Sequence, residues 1–269
     1  MPGAREWMGE LMLRAPGPLR SLRGVPVLGS LIHKISHRVV PSEQLVWAQV
    51  EAGPSRGLWL ELNPRTGQNY LRGEAEAAVQ GVLAERLKPG MVFYDLGANI
   101  GLFSLLGARL VEASGKVFSF EPDPQVAARL RRNVERNGFA NVAIVEAGIW
   151  SSSGPRNFAV AAGDSPDRGV GRIADNGSAM GAATIRCVAL DEFVQSAPAP
   201  GAIKCDIEGA EVEALRGAKS LLEQRRAWIV CETHSQENNA AVREHLRRFG
   251  YACKTIDAHH LLATPGGES

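Results

Sequence analysis

A doubly wound α/β fold with a mostly parallel sheet is predicted over residues 58–269 of this 269-residue chain, behind an N-terminal extension over residues 1–57. Three observations predict it. Short apolar runs alternate with helical periodicities along the chain, which implies crossover connections and a sheet covered on both faces. The runs are continuously apolar, as strands buried on two sides must be. A glycine-containing turn joins one such run to the following helix, the usual place for a ligand at the carboxyl edge of an open sheet.

The extension is broken by Pro2, Pro16, Pro18, Pro26, Pro41 and Pro54, leaving room only for short helical pieces. Leu58 to Leu62 alternates as a strand does and stops at Asn63-Pro64. Between Glu74 and Leu87 the positions Ala78, Val79, Val82, Leu83 and Leu87 repeat with helical spacing, ended by Pro89-Gly90. The regular part then reads strand Met91 to Leu96, helix Leu102 to Val111, strand Lys116 to Phe120, helix Pro124 to Asn137 and strand Asn141 to Glu146. A Gly/Ser/Ala-rich insertion from Ser151 to Ala182 holds a candidate strand at Phe158 to Val160 and has the makings of a lid or substrate wall. Strands at Ala183 to Val188, Ala202 to Ile207 and Ala227 to Glu232 follow, with helices at Glu211 to Gln224 and Asn239 to Phe249 and a last strand at Tyr251 to Ile256. The tail with His259 and His260 reads as structural only.

Thirty basic against 29 acidic side chains leave a formal charge of +1, with no electrostatic footprint for nucleic acid. Arg5, Arg14, Arg20, Arg23, Lys34 and Arg38 tilt the extension toward positive charge, read first as a solvated leader and second as a membrane-surface or partner-binding arm. No run approaches the ~20 apolar residues of a membrane helix, and no secretory signal is evident, so a cytoplasmic location is expected. Cys187, Cys205, Cys231 and Cys253 are widely spaced and read as buried free thiols.

Tyr94-Asp95-Leu96-Gly97-Ala98-Asn99-Ile100-Gly101 ends the first regular strand. Gly97 and Gly101 let a ligand approach the backbone, and the N–H groups opening the helix favour an anionic group. No lysine follows, which excludes a phosphate loop, and Asn99 and Leu102 occupy the second and third positions of a dinucleotide glycine motif. Asp95 precedes the turn, placed to accept from an ammonium or a water. The next strand ends in Phe120-Glu121-Pro122, where an acid can accept both hydroxyls of an adenosine ribose and Pro122 turns the chain away.

These runs, with Lys204-Cys205-Asp206-Ile207-Glu208-Gly209-Ala210-Glu211, resemble the FkbM family of methyltransferases. Gly73-x-x-Glu76, Leu190-Asp191-Glu192-Phe193, Leu215-Arg216-Gly217-Ala218 and Glu232-Thr233-His234 extend the resemblance over residues 60–235. It implies a class I methyltransferase (Rossmann-like) fold on a seven-stranded sheet, S-adenosylmethionine as donor, and a hydroxyl of a sugar, lipid or natural-product small molecule as acceptor. It also implies that Glu76, Asp95, Gly97, Asn99, Gly101, Glu121 and the Ala147-Gly148 turn line the cofactor. Ile149-Trp150-Ser151-Ser152 departs from the family's short acidic turn.

Asp206 and Glu232 end their strands, and adjacent strands lie ~4.8 Å apart. Glu208 and His234 follow two residues later, completing a catalytic set in which His234 has the ordinary pKa best suited to a base near neutrality and Asp206 orients the hydroxyl or takes its proton. The same four side chains suit a divalent cation. Glu208 and Glu211 have a second reading as acids at a helix start, and Asp191 as the cap of its own turn. Trp47, Trp59 and Trp228 read as packing anchors. Two other functions share this fold, a nucleotide-dependent oxidoreductase and a non-catalytic S-adenosylmethionine-binding protein.

Overall fold

The computed structural model describes residues 4–14, 41, 43–160, 171–174 and 183–266. Arg20, Arg23, Lys34 and Arg38, and most of the insertion proposed as a lid, lie outside these residues. The chain forms two compact units, one ending at Ala75 and one beginning at Glu76. In the first, helix α1 (Ala4–Arg14) contacts β1 (Val46–Gln49), which pairs antiparallel with β2 (Trp59–Leu62), followed by the short helix α2 (Gln68–Arg72). Leu13, Val46, Leu60, Leu62 and Leu71 are buried there, and Arg14 bridges to Glu51 at 2.9 Å. β1 and α2 were not expected from the sequence.

The second unit holds α3 (Ala77–Arg86), β3 (Val92–Leu96), α4 (Leu102–Val111), β4 (Lys116–Phe120), α5 (Pro124–Asn137) and β5 (Val142–Val145). β6 (Gly148–Ile149), β7 (Gly154–Val160), β8 (Gly171–Ala174) and β9 (Ala183–Val188) then form a four-stranded sheet in the order β6-β9-β7-β8. After it come α6 (Leu190–Phe193), β10 (Ala202–Cys205), α7 (Glu211–Arg216), α8 (Lys219–Gln224), β11 (Trp228–Glu232), α9 (Gln236–Arg248), β12 (Tyr251–Thr255) and β13 (His260–Pro265). The main sheet has seven strands in the order β12-β13-β11-β10-β3-β4-β5, and only β13 runs antiparallel to its neighbours. The seven-stranded, mostly parallel fold expected from the sequence is therefore present.

Side chains alternate across β3 and show how both faces are covered. Phe93 packs on Gly107 of α4, so close that an added Cβ there would meet its ring at 2.5 Å. Tyr94, one residue on, stands on the opposite face against Phe118, Phe120 and Phe193, with ring centroids 5.3–5.6 Å away. That face continues through Leu215, Leu222, Val242 and Leu246 of the helices α7 to α9.

Several expected elements are corrected. The helix read from Glu74 begins at Ala77, because Glu76 is left-handed (φ 45°, ψ 49°). The helix read as Glu211 to Gln224 is two, α7 and α8, broken where Gly217 passes within 2.3 Å of the Trp150 carbonyl as measured from an added Cβ. Asp191 does not cap its own turn. Its two carboxylate oxygens accept from the N–H groups of Ser220 and Leu221, capping α8 from a distance. α9 starts at Gln236, three residues before the expected point, because the Ser235 hydroxyl accepts from Asn238 N–H. The tail read as featureless forms β13, introduced by an Asp257 turn that accepts from the N–H groups of His259 and His260. Cys187, Cys205 and Cys231 are buried free thiols as expected, and Cys253 is half-buried. Among the described residues no helix is long and apolar enough to cross a membrane.

Candidate active site

Strand order reverses between β3 and β10. The chain runs from β3 outward to β4 and β5, then returns to place β10 on the other side of β3. Such a reversal opens a crevice at the carboxyl ends of the two strands. Here the loops meet closely: Asp206 N–H donates to the Leu96 carbonyl at 3.1 Å, and a Cβ on Gly97 would lie 1.8 Å from the Asp206 carbonyl oxygen. Gly97 has φ 78° and Gly101 φ 95°, and a Cβ on Gly101 would lie 2.2 Å from Leu130. Both positions need glycine for conformation and for space.

Among the described residues, three of the five non-glycine residues with positive φ, Glu76, Asn99 and Glu208, belong to this carboxyl-edge constellation. Backbone held in the left-handed region costs energy and collects at functional sites.

Glu121 is turned onto the glycine loop. Its Oε2 accepts from Asn99 N–H and its Oε1 from Asp123 N–H, both at 2.9 Å. Burial pushes its pKa up to about 7, against those two bonds. Each carboxylate oxygen retains a lone pair for a further donor. Pro122, half-buried, lies between Glu121 and Asp123, and Asp123 caps α5.

Asp95 differs from expectation. It is fully buried beneath the turn, its Oδ2 accepting from Ser104 Oγ at 2.6 Å, with Ser119 Oγ donating onward to Ser104 at 2.7 Å. Burial raises its pKa, opposed by Lys204 and the Ser104 bond. Enclosed in this way, it fixes α4 against β3 and β4, and its Oδ1 has no hydrogen-bond partner. Ala147 is packed into the core after β5, and Gly148 lies in β6 against Cys187 and Ile185.

β10 and β11 are parallel neighbours, with Cys205 opposite Cys231, so Asp206 and Glu232 emerge side by side. Lys204, a residue whose role was not read from the sequence, lies buried under Asp206 with Nζ 2.9 Å from Oδ2 and 4.9 Å from the Phe103 ring centroid. A lysine inside an otherwise apolar strand was the available signal. Burial works against its charge, yet Asp206, Glu76 and Asp95 outweigh burial and hold it protonated. Burial likewise opposes the charge of Asp206, but Lys204 and His234 hold that carboxyl far below its usual range.

His234 Nε2 faces Asp206 Oδ1 at 3.6 Å and Glu211 Oε1 at 3.4 Å, and its Nδ1 lies 3.9 Å from Glu208 Oε2. The contact with Asp206, then that with Glu211, lifts its pKa to about 10. The expectation of a base poised near neutrality is thus corrected: among these carboxylates the ring is an imidazolium at neutral pH. Glu211 is fully buried, accepting from Gly209 N–H and from Asn238 Nδ2, so it holds the Asp206–Ala210 loop and the imidazole in place.

His260 was missed. It opens β13 opposite Glu232 in the antiparallel register. Its Nδ1 lies 2.9 and 3.0 Å from the two oxygens of Asp257, and its Nε2 faces Glu76 at 3.3 Å and Glu232 at 3.7 Å. Burial opposes its charge, but Glu232, Glu76 and Asp257 raise its pKa to about 10. Of the residues expected to suit a cation, Asp206, Glu232 and His234 bring donor atoms within 4.8 Å of one another; a second such group is Glu76, Glu232 and His260. Beside them a cavity of about 500 Å³ is lined by His234, Ser235, Asn239, Arg243 and Asp257, among others.

The sheet order, the glycine turn at the strand reversal and the acid at the end of β4 define a class I S-adenosylmethionine-dependent methyltransferase fold. Residues 95–253 match the methyltransferase FkbM domain, and the chain belongs to that family. Similar proteins include the hexuronic acid methyltransferase AglP of Haloferax volcanii, 34% identical over 171 residues that cover 61% of this chain and 64% of that protein. Another is the 31-O-demethyl-FK506 methyltransferase FkbM of Streptomyces tacrolimicus, 27% identical over 217 residues covering 70% of this chain and 77% of that one. The first match spans less than two thirds of its relative. The crystal structure of methyltransferase FkbM from Methylobacillus flagellatus KT aligns with TM-score 0.49 and 19% identity over 66% of this chain and 44% of that one. Family membership favours the methyltransferase reading over the oxidoreductase one.

Proposed function

We propose that the chain is an S-adenosylmethionine-dependent O-methyltransferase acting on a hydroxyl of a sugar, lipid or natural-product small molecule. The observation that carries this is the meeting of Gly97 and Asp206 at the strand reversal, with Glu121 bonded to the same turn. The residues fit the cofactor. Glu121 keeps acceptor capacity for two ribose hydroxyls, and the turn at Gly97 offers bare backbone. Bound S-adenosylmethionine supplies an electrophilic methyl group that leaves a neutral thioether behind. Asp206 and Glu232 accept the hydrogen bond of the incoming hydroxyl, fix its oxygen for in-line approach and take its proton as that oxygen becomes acidic on alkylation. Lys204 and His234 hold Asp206 ionised and in place. The names of the similar proteins, a hexuronic acid methyltransferase and a 31-O-demethyl-FK506 methyltransferase, support an oxygen-rich acceptor, and the polar cavity beside His234 suits one.

Incubation with S-adenosylmethionine carrying a CD₃ methyl and a panel of glycosides, uronic acids and polyketide alcohols is expected to yield products about 17 Da heavier, a CD₃ group having replaced the hydrogen of an alcohol oxygen. Labelled products only on nitrogen, or cofactor binding without any transfer across the panel, would overturn the reading in favour of another acceptor or of a non-catalytic binder.

A second expectation concerns pH. Ribose hydroxyls donate to the ionised form of Glu121, so cofactor binding lowers its pKa. The unliganded value of about 7 lies above the ordinary 4.5. The folded protein therefore binds the extra proton in that window, and this group's contribution to stability declines as pH rises from 4.5 through 7. Cofactor affinity accordingly rises with pH up to about 7, by at most about tenfold per unit, and then levels. Calorimetry at pH 6, 7 and 8 is expected to show this rise in the wild type and a flat, weaker profile in Glu121→Gln, by about 1.5–3 kcal/mol at pH 8. Identical profiles for the two proteins would remove Glu121 from the cofactor site.

A further inference from the structure

His260 is nine-tenths buried, with 6% of its surface exposed, and its Nε2 has no hydrogen-bond partner. The opposite nitrogen is held by both oxygens of Asp257 at 2.9 and 3.0 Å, which fixes the ring plane. Nε2 therefore points at Glu76 Oε2, 3.3 Å away, and at Glu232 Oε2, 3.7 Å away, and neither contact has hydrogen-bond geometry. Glu76 Oε2 is itself buried without a donor. Two carboxylate oxygens and an imidazole nitrogen thus converge with no bond among them.

A proton on Nε2 answers the charge but not the geometry, since it finds no acceptor in line. A cation at the centre answers both. Ligands about 2.1 Å from a tetrahedral metal stand about 3.4 Å from one another, and the two distances from Nε2 are 3.3 and 3.7 Å. The donor atoms of all three residues lie within 4.8 Å of one another. The fold also supplies what a metal-binding imidazole needs behind it, a carboxylate on the other ring nitrogen that fixes tautomer and orientation. Glu76 reaches the group from a left-handed backbone, φ 45°, and Glu232 reaches it by the cross-strand register with His260.

We propose that Glu76, Glu232 and His260 bind a divalent cation of the Mn²⁺ or Zn²⁺ type, with Asp257 as the positioning residue for the imidazole. The neighbouring group of Asp206, Glu232 and His234 is the weaker candidate. Asp206 is already neutralised by Lys204 at 2.9 Å, and His234, whose Nε2 is also without a hydrogen-bond partner, is less buried and has its other ring nitrogen 3.9 Å from Glu208 Oε2, too far for the bond that fixes the His260 ring. A cation held by Glu232 would also stand next to Asp206, where it lowers the pKa of an acceptor hydroxyl bound to it; that consequence, unlike the binding itself, rests on the methyl-transfer reading.

The test uses the full chain, stripped with chelator, and reads metal directly without cofactor or acceptor, so its outcome is independent of the methyl-transfer reading. In a Mn²⁺ titration followed by electron paramagnetic resonance, the wild type is expected to take up about one ion per chain, and pulsed spectra of the bound ion to show coupling to an imidazole nitrogen. His260→Gln is expected to abolish that coupling and weaken uptake, and Asp257→Asn, which leaves all three ligands intact, to weaken it about 10–100-fold. His234→Gln is expected to change neither, with circular dichroism confirming that each variant is folded. Absence of uptake by the folded wild type at millimolar Mn²⁺ and Zn²⁺ would overturn the proposal. So would nitrogen coupling that survives in His260→Gln and vanishes in His234→Gln.

Discussion

Gly97→Ala is expected to lose about 3–5 kcal/mol of stability, a sum of a left-handed backbone now carrying a Cβ and a steric clash. The clash is with main chain, not with a side chain that can swing aside. The added carbon would sit 1.8 Å from the Asp206 carbonyl oxygen and 2.9 Å from its carbonyl carbon. Relief requires β3 and β10 to separate at their carboxyl ends, where Asp206 N–H donates to the Leu96 carbonyl. The loop that carries Asp206 moves with them, so the site and the fold are damaged by the same atom. Urea denaturation checks the loss, and calorimetry of S-adenosylmethionine binding checks the site. By contrast Gly138→Ala, where an added Cβ meets nothing within 4 Å, bears only the conformational part of the cost, about 1 kcal/mol or somewhat more. Equal denaturation midpoints for the two variants would show that the Gly97 contact is not tight.

The comparison of these glycines also shows which features the sequence carried. β3, its turn and α4 are legible because each boundary is set locally: an apolar run, two glycines forced by positive φ, and a helix beginning at Leu102. α5 is equally local, with Pro124 at its first turn, Asp123 capping it and left-handed Gly138 ending it. β13 is not. Its His260-Leu261-Leu262-Ala263 becomes a strand because β11 and β12 flank it in the sheet, and no neighbour in sequence announces that insertion. The imidazole of His260 was therefore unassigned while its cross-strand partner Glu232 was named. Asp191 shows the same limit. Its position in the sequence suggests a cap for its own turn, but the helix it caps begins 28 residues later, at Lys219, and arrives only through tertiary packing. The pKa of His234 belongs here too, since Asp206 and Glu211 become its neighbours through the placement of β10, β11 and α7 and not through spacing along the chain.

Asp206→Asn is expected to lower kcat by about 10²–10⁴-fold, the range for loss of a positioned proton acceptor, while S-adenosylmethionine affinity stays within a few-fold. Asparagine keeps an oxygen toward Lys204 and keeps the shape of the loop, but it neither takes a proton nor carries charge. Two further effects identify the loss as electrostatic. Lys204, almost fully buried, would face an uncompensated charge apart from Asp95 and Glu76, and breaking such a pair costs about 3–5 kcal/mol, with the lower end expected because those two acids remain. The Asp206 carboxyl is held below its ordinary range, so its contribution is present at neutral pH and fades only as pH falls through that depressed value. The Asp206 part of the stability gap between wild type and variant is thus expected to stay constant over mildly acid and neutral pH and to close only in strong acid, while the part carried by His234 shrinks as pH rises above 6.5. His234 reports on the same charge from the other side. Its folded pKa of about 10 exceeds the ordinary 6.5, so its contribution is complete below 6.5 and lost as pH climbs through 10, and its largest cause is Asp206. In Asp206→Asn the His234 proton resonances are expected to titrate at lower pH than in the wild type. A variant with wild-type kcat and an unshifted His234 titration would take Asp206 out of the reaction, since its carboxylate would then be touching neither the acceptor nor the imidazolium that holds it.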